Sequence, residues 1–316
     1  MTFVRDVIIF NDLIKRIKMY PIKYKEPVFR PPSEGRSFLI QVTLGCSNNM
    51  CTYCDMYRSK KYQERPFAEI KKELIESRQY FESVGFLPSR IFLCDGDALG
   101  ASMELLESTL ILINELFPNL DRVGIYATAQ NMLEKSEEEL KKLASLKLTM
   151  AYLGLESGSD KVLHMIVKGN NQQDMIQGSQ KLIRSGMKLS IIAMLGIGGE
   201  KFSKEHVRDT ASTINEISPH YFSFLTTMSL PGTPYFKMTE RGLIKELTSK
   251  KMLEEMRDIL KELKPKRTIL FRANHVSNQF PLGGSLPNDS RNILETLDKW
   301  ISTTPDGDYP PVPTSM

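Results

Sequence analysis

Three of the chain's four cysteines fall within nine residues, in the run GCSNNMCTYC: Cys46, Cys51 and Cys54. The spacing CxxxxCxxC supplies three thiolates from one short loop and no fourth. Three soft ligands of this kind suit a cubane iron–sulfur cluster with one iron left open to something other than protein. Chemistry would then begin at that open iron. Structural zinc is the competing reading, but it usually takes four ligands. No histidine lies near the loop; the nearest in sequence is His164. Cys94 lies 40 residues beyond Cys54 in an apolar run. It could serve as a fourth ligand, or pack as a small hydrophobe.

Such a loop needs a frame, and the sequence describes one. Short apolar runs alternate with longer amphipathic ones. Strands are predicted at Ser37–Thr43, Arg90–Cys94, Arg122–Thr128, Lys147–Leu155, Lys188–Gly196 and Tyr221–Met228, with an apparent seventh at TILF. Helices are predicted at Phe67–Ser83, around Met103–Phe117, Ser136–Leu146, Asp160–Ile166, Gln172–Ser185, Ser203–Ile217, Met252–Leu263 and Asn288–Ile301. Ser136 with Glu139 three residues on has the form of a helix N-cap pair. Alternating strands and helices imply an α/β fold with a parallel sheet. It would be a partial barrel or a doubly wound sheet, with ligands collecting at the C-terminal strand ends.

The polar and glycine-rich motifs fall at those ends. The first strand runs into the cysteine loop, the second into CDGDALG, the fourth into GLESGSD, the fifth into GIGGE and the sixth into SLPGTP. Gly96 would let the backbone approach a ligand closely, and the adjacent Asp97 could hold an ammonium. DG is equally a turn former. Glu156 interrupts an apolar frame, and a buried carboxylate needs a partner. The glycines Gly196, Gly198 and Gly199 clear space for backbone contacts. LPGTP is explained by a turn alone. His164 and His206 are read as solvated helix residues. His275 lies in the polar segment Arg272–Gly284, either a surface loop or a closure over the barrel mouth.

Composition sets limits. Of 316 residues, 41% are apolar and 25% charged, and net charge is +4. This is ordinary for a soluble globular chain, and too weakly basic to argue for nucleic acid by itself. The first thirty residues are richer in Lys and Arg, which suits a solvated amphipathic segment better than a phosphate-binding arm. No run reaches the ~18 apolar residues of a membrane span. VIIF is too short for a secretion signal. A cytoplasmic location is expected, where clustered cysteines act as metal or redox groups. The expected divisions are a basic extension over 1–35, a core over 36–236, a C-terminal extension over 237–302 and a flexible, proline-rich tail over 303–316.

The cysteine loop after the first strand, with Tyr53 just before the last cysteine, resembles radical S-adenosylmethionine (radical SAM) enzymes. Their usual spacing is CxxxCxxC; here the first gap is one residue longer. GLESGSD and VLHMIVKGN, with Lys168–Gly169, are similar to the branch holding oxygen-independent coproporphyrinogen oxidases, methylthiotransferases and Elongator-type enzymes. The resemblance implies a radical SAM core, a partial (β/α)6 barrel. It implies that Cys46, Cys51 and Cys54 hold a [4Fe–4S] cluster whose fourth iron is chelated by S-adenosyl-L-methionine. Tyr53 would lie near the adenine, although loop packing also accounts for it. Gly96 and Asp97 would stand at the methionine amine, where the family has GGE. Glu156 would meet the ribose or methionine part, and the backbone of Gly196, Gly198 and Gly199 would lie along the adenine.

The resemblance further implies reductive cleavage to a 5′-deoxyadenosyl radical that takes hydrogen from a substrate. It also implies a low-potential electron donor of flavodoxin or ferredoxin type. One remaining cysteine leaves no second cluster, and the length leaves no room for an acetyltransferase or full cobalamin domain. A small molecule or cofactor precursor is the expected substrate; nucleic acid comes second, on the basic N-terminus alone. The rival reading is an iron–sulfur electron-transfer protein, which complete protein ligation would serve better.

Overall fold

A computed structural model describes residues 21–310. Ten strands are present among them: β1 Phe38–Gln41, β2 Thr43–Leu44, β3 Gln63–Glu64, β4 Arg90–Cys94, β5 Arg122–Ala127, β6 Leu148–Glu156, β7 Lys188–Leu195, β8 Tyr221–Thr226, β9 Ile269–Ala273 and β10 Leu282–Leu286. The α-helices are α1 Phe67–Ser83, α2 Met103–Leu116, α3 Ala129–Glu134, α4 Glu137–Ser145, α5 Asp160–Met165, α6 Gln172–Arg184, α7 Gly199–Ile217, α8 Pro234–Glu240, α9 Ser249–Lys261 and α10 Ser290–Thr303.

Eight strands form one sheet in the order β1-β4-β5-β6-β7-β8-β9-β10. All neighbours are parallel except β9 and β10. The sheet is open, because β1 and β10 stand at its two ends. This is the partial-barrel form of the α/β fold. The expected sixfold unit is lengthened by β9, which continues the parallel ladder, so residues 237–302 extend the core sheet. The segment read as a polar loop after the seventh strand contains β10. Its GG pair lacks the side chains by which a strand is recognised.

Alternation decides the two faces. Ile91, Leu93, Val123, Ile125, Leu153, Leu189, Ile191, Phe222, Phe224 and Phe271 join one buried core with the helices. The opposite positions, Phe92, Cys94, Met150 and Tyr152, form a separate inner cluster with Leu39, Tyr126 and Tyr221. Each large aliphatic or aromatic side chain so buried contributes ~1.5–3 kcal/mol. Cys94 is fully buried there. Helix starts follow the caps: Ser136 and Glu139 form the expected capping box, and Asn171 with Asp174 forms a second.

Two expectations about the termini change. Residues 1–20 lie outside the described part. The stretch from 21 to 35 is no solvated arm, because Ile22, Pro31 and Glu34 are buried. Glu34 lies beneath the barrel, bonded to Tyr152 Oη and paired with Arg122 at 2.7 Å. At the other end, the tail expected to be free from 303 is held as far as its described residues reach. Ser249 N–H donates to the Asp308 carbonyl at 2.7 Å, and Lys250 pairs with Asp306. Residues 311–316 lie outside the described part.

Candidate active site

The cysteine loop is clamped at its base. β2 and β3 pair Thr43 with Glu64 and Leu44 with Gln63, so the strands that enter and leave the loop are joined. Gly45 turns the chain at φ +76°, a left-handed conformation that favours glycine. Its N–H donates to the Asp95 carboxylate at 2.8 Å. Asp95 also accepts from Gln41 and pairs with Lys60 at 2.9 Å. Gly96 N–H returns to the Gly45 carbonyl at 2.9 Å. The first strand's exit and the second's are thereby one unit.

Within the loop, the Arg58 side chain donates to the carbonyls of Cys51 and Cys54. Asn49 spans to the carbonyls of Tyr57 and Lys60. The loop is also tied to later elements: Thr52 N–H reaches the Ile166 carbonyl at 2.9 Å, and Tyr235 N–H reaches Thr52 at 3.0 Å. Asn48 donates to the Lys168 carbonyl and faces the Cys51 sulfur at 3.4 Å.

The three thiols lie in mutual electrostatic reach, Cys46 with Cys51 and Cys51 with Cys54. Burial, then the Asp97 carboxylate, pushes the Cys46 thiol up to about 12. Burial likewise raises Cys51 and Cys54, while the Lys168 ammonium opposes the rise at all three. Metal ligation takes thiolates, so each must give up its proton on binding. Cys94 is raised by its own burial and by Asp95, on the sheet's inner face. It packs as the small hydrophobe that the sequence allowed. Among the described residues, no three His, Cys, Asp or Glu side chains converge tightly enough to hold a single metal ion. The donor set itself is thiol-only and soft, with an adjacent buried cation, and that composition fits an iron–sulfur cluster.

Gly96 fits the expected close approach, and the group that approaches it is the cysteine itself. A Cβ at Gly96 would stand 2.6 Å from Cys46 Cβ and 2.9 Å from Tyr57. Asp97 is turned inward. Its carboxylate accepts from Ser47 Oγ, Thr128 N–H, Thr128 Oγ1 and Asn131 Nδ2. Burial raises it to about 6 against those four donors. It fastens the cysteine loop to the start of α3, a short helix that periodicity does not separate from its neighbour.

Glu156 sits at φ +64° where the β6–β7 register shifts. Its carboxylate pairs with Lys168 at 2.9 Å, which supplies the partner its burial required, and its charge acts on the nearby Tyr53 hydroxyl. Burial pushes Tyr53 well above its ordinary value, with Glu156 and the thiols adding to the effect. Burial alone would disfavour the Lys168 ammonium, but Glu156 and Cys51 outweigh it and hold the group above the usual lysine range. Lys168 was visible in the motif but carried no role there. Glu156, Lys168, Tyr53 and the thiols form one cluster at the strand ends.

The Gly196–Gly199 turn contributes Ile197 to an apolar cluster that also holds Ile166 and Tyr235, with Tyr53 packed against it. Gly196 and Gly199 have positive φ, and a Cβ would meet Met252 Cε at 2.7 Å and the Lys245 carbonyl at 2.8 Å respectively. At Gly198 the added atom would press on Phe202 at 3.2 Å. The C-terminal segment therefore demands two of these glycines on its own account. The fully buried Glu255 of α9 accepts from Gly196 N–H and Ser203 Oγ, both at 2.7 Å. Helix α7 begins at Gly199, four residues earlier than expected, with Gly198 as its N-cap.

Of the histidines, His164 is exposed as expected. His206 corrects the expectation: it is fully buried, its Nδ1 2.8 Å from Ser157 Oγ. It braces the residue after Glu156, and burial holds its pKa down to about 4. His275 bonds within its own turn to Ser277, while Ser277 and Asn278 cap the end of β8 through Thr226 and Phe224. A groove of about 1000 Å³ lies elsewhere, outside the barrel between α7 and α9, lined by charges of both signs. It does not reach the thiols.

An open, mostly parallel barrel with three thiols on the loop after its first strand defines a class of redox enzyme core. The chain belongs to the radical SAM superfamily, whose family model matches residues 40–214. Members of that family are enzymes that use a [4Fe–4S] cluster and S-adenosylmethionine. The chain is 27% identical over 212 residues to a tRNA-2-methylthio-N(6)-dimethylallyladenosine synthase of Marinomonas sp., covering 65% of this chain and 45% of that one. It spans about half the length of the curated relatives it matches. Its fold is shared with Elp3 of Methanocaldococcus infernus (TM-score 0.51, 17% identity, 84% of this chain and 63% of that one). TsrM of Kitasatospora setae, a radical S-adenosylmethionine methyltransferase, has the same fold (TM-score 0.53, 17% identity, 70% and 43%). No helix among the described residues is long and apolar enough to cross a membrane.

Proposed function

We propose that Cys46, Cys51 and Cys54 hold three irons of a [4Fe–4S] cluster, and that the chain uses it to generate a radical for hydrogen abstraction from a substrate. The observation that carries this reading is the thiol trio with Glu156, Lys168 and Tyr53 clustered at the C-terminal strand ends of a family-typical core. When bound, the cluster and S-adenosylmethionine supply one-electron cleavage of a carbon–sulfur bond to a 5′-deoxyadenosyl radical.

The chain's residues do the positioning. Lys168 offsets the negative charge of the thiolates. Tyr53 and Ile197 offer apolar surface suited to a purine face. Glu156, held by Lys168, keeps acceptor capacity for hydroxyl or ammonium groups. Asp97 acts through the loop it anchors, in place of the direct amine contact expected for it. The Gly196–Gly199 turn shares its apolar cluster with Tyr53, and its backbone groups line the adenine in this reading. Electrons come from a low-potential flavodoxin or ferredoxin type donor. The substrate is a small molecule or cofactor precursor, and the protein works in the cytoplasm.

The test is anaerobic reconstitution followed by iron and sulfide analysis and chromatography of 5′-deoxyadenosine after reduction with S-adenosylmethionine. Cys46→Ala, Cys51→Ala and Cys54→Ala should each lose the cluster, and Cys94→Ala should keep it. Iron loss in Cys94→Ala would refute the three-ligand assignment. A fully loaded wild type that releases no 5′-deoxyadenosine, with or without cell extract, would favour electron transfer instead.

A further inference from the structure

Strand register places four residues side by side across the inner face. Gly154 pairs with Ile192, Ile192 with Ser223, and Ser223 with Arg272. The next residue in the row is Gly283. Neighbouring strands are ~4.8 Å apart, so Gly154 and Arg272 are separated by at most ~14 Å. One end of the row is the site: a Cβ at Gly154 would stand 2.1 Å from Glu156 Oε1 and 3.1 Å from Lys168 Nζ. The other end is a cation. Arg272 and Leu270 are exposed, while Ile269, Phe271 and Ala273, which alternate with them, are buried. Arg272 therefore projects to the inner face.

Its surroundings leave it open. Gly283 and Ser223 on either side are too small to cover it. No carboxylate pairs with it among the described residues; its neighbour is the Tyr221 ring, whose centroid is 6.0 Å from the guanidinium carbon. Tyr221 belongs to the inner aromatic layer with Tyr126 and Tyr152, which floors the row. A guanidinium steadied on an aromatic face keeps its N–H fork for a planar oxyanion. Both Ser223 and Arg272 lie beyond residues 40–214, outside the stretch that the family model matches.

We propose that the substrate carries a carboxylate or phosphate that docks on Arg272, with its reacting end toward Glu156 and Lys168, which cover Gly154. The inference rests on the radical reading above and adds a substrate class to it. The row is floored by tyrosines and lined by Ile192 and Ser223, so the body between the two ends spans at most ~14 Å, the three strand spacings already given.

The test uses the full chain, reconstituted anaerobically, and an aqueous small-molecule cell extract split by anion exchange into retained and flow-through fractions. The retained fraction should raise the melting temperature of wild type and stimulate 5′-deoxyadenosine release. Alkaline phosphatase treatment of that fraction abolishes both effects for a phosphate ester and leaves both for a carboxylate. Arg272→Ala should need at least ten-fold more of the fraction for the same melting shift, and Arg272→Lys should recover part of the loss. Iron content and the melting temperature without extract should match wild type in both variants. Activity confined to the flow-through fraction, an unchanged response in Arg272→Ala, or no melting shift with either fraction would overturn the anion site. A melting shift that depends on Arg272 in a protein releasing no 5′-deoxyadenosine would uphold the anion site and overturn the radical reading.

Discussion

Gly96→Ala tests whether the first thiol is placed by backbone contact. Gly96 is not among the positive-φ residues, so alanine carries no backbone strain there. The whole effect comes from one methyl group. That carbon would lie 2.6 Å from Cys46 Cβ, 3.1 Å from Cys46 Sγ and 2.9 Å from Tyr57 Cδ2. Comfortable carbon contacts are ~3.5–4.0 Å, so an opening of about 1 Å is needed. Tyr57 is buried, and the Gly96 N–H to Gly45 bond holds the two backbones together. Cys46 is the part that moves. Overpacking of this kind costs ~1–3 kcal/mol. At ~2.1 cal/mol/K per residue over a chain of this size, that is a fall in melting temperature of roughly 2–5 °C. Displacement of one of the three proposed ligands should matter more than the stability loss. The variant should fold, and anaerobic reconstitution should leave it well short of wild-type iron and sulfide per chain, with a weakened charge-transfer band. Wild-type iron content together with an unchanged melting temperature would show that Cys46 is not wedged against this strand end.

Two further outcomes stem from buried charge. Burial raises Glu255 from 4.5 to about 7. A raised folded pKa means the stability contribution is complete below about pH 4.5 and lost as pH rises through about 7, by ~3 kcal/mol in order of magnitude. Glu255→Gln keeps an acceptor for Gly196 N–H and removes the charge, so denaturant melts should show it gaining on wild type between pH 5 and pH 8; a variant less stable than wild type at pH 8 would contradict this. Lys168→Ala leaves Glu156 buried without its 2.9 Å partner, and should cost ~3 kcal/mol or more by chemical denaturation. Adding Glu156→Gln to it should restore part of the loss, and a strictly additive double variant would argue against direct coupling.

Much of this molecule could be read along the chain. Three cysteines on one loop, a soft donor set, follow from side-chain type and spacing, which do not depend on the fold. The parallel α/β sheet follows from periodicity, since apolar β-branched runs such as IFLC and LSIIAML make strands wherever they lie. The turn motifs mark strand ends because glycine and acid residues are poor strand interiors. The tertiary structure was needed for every assignment that depends on a partner distant in sequence. Asp97 has the same chemistry as a ligand or as an anchor; its four donors come from the cysteine loop and from Thr128 and Asn131, and they make it an anchor. His206 has the spacing of a solvated helix residue, and the Glu156 loop packed above it makes it a buried brace. Gly196 and Gly199 are explained by Met252 and Lys245, some 50 residues away. Arg272 looks like one more basic residue in a polar stretch until strand pairing sets it in line with Ser223, Ile192 and Gly154. Residue type and local period are properties of the chain. Which groups share a desolvated space is decided only when remote segments meet, because the cost of burying a polar group depends on the partner it finds there.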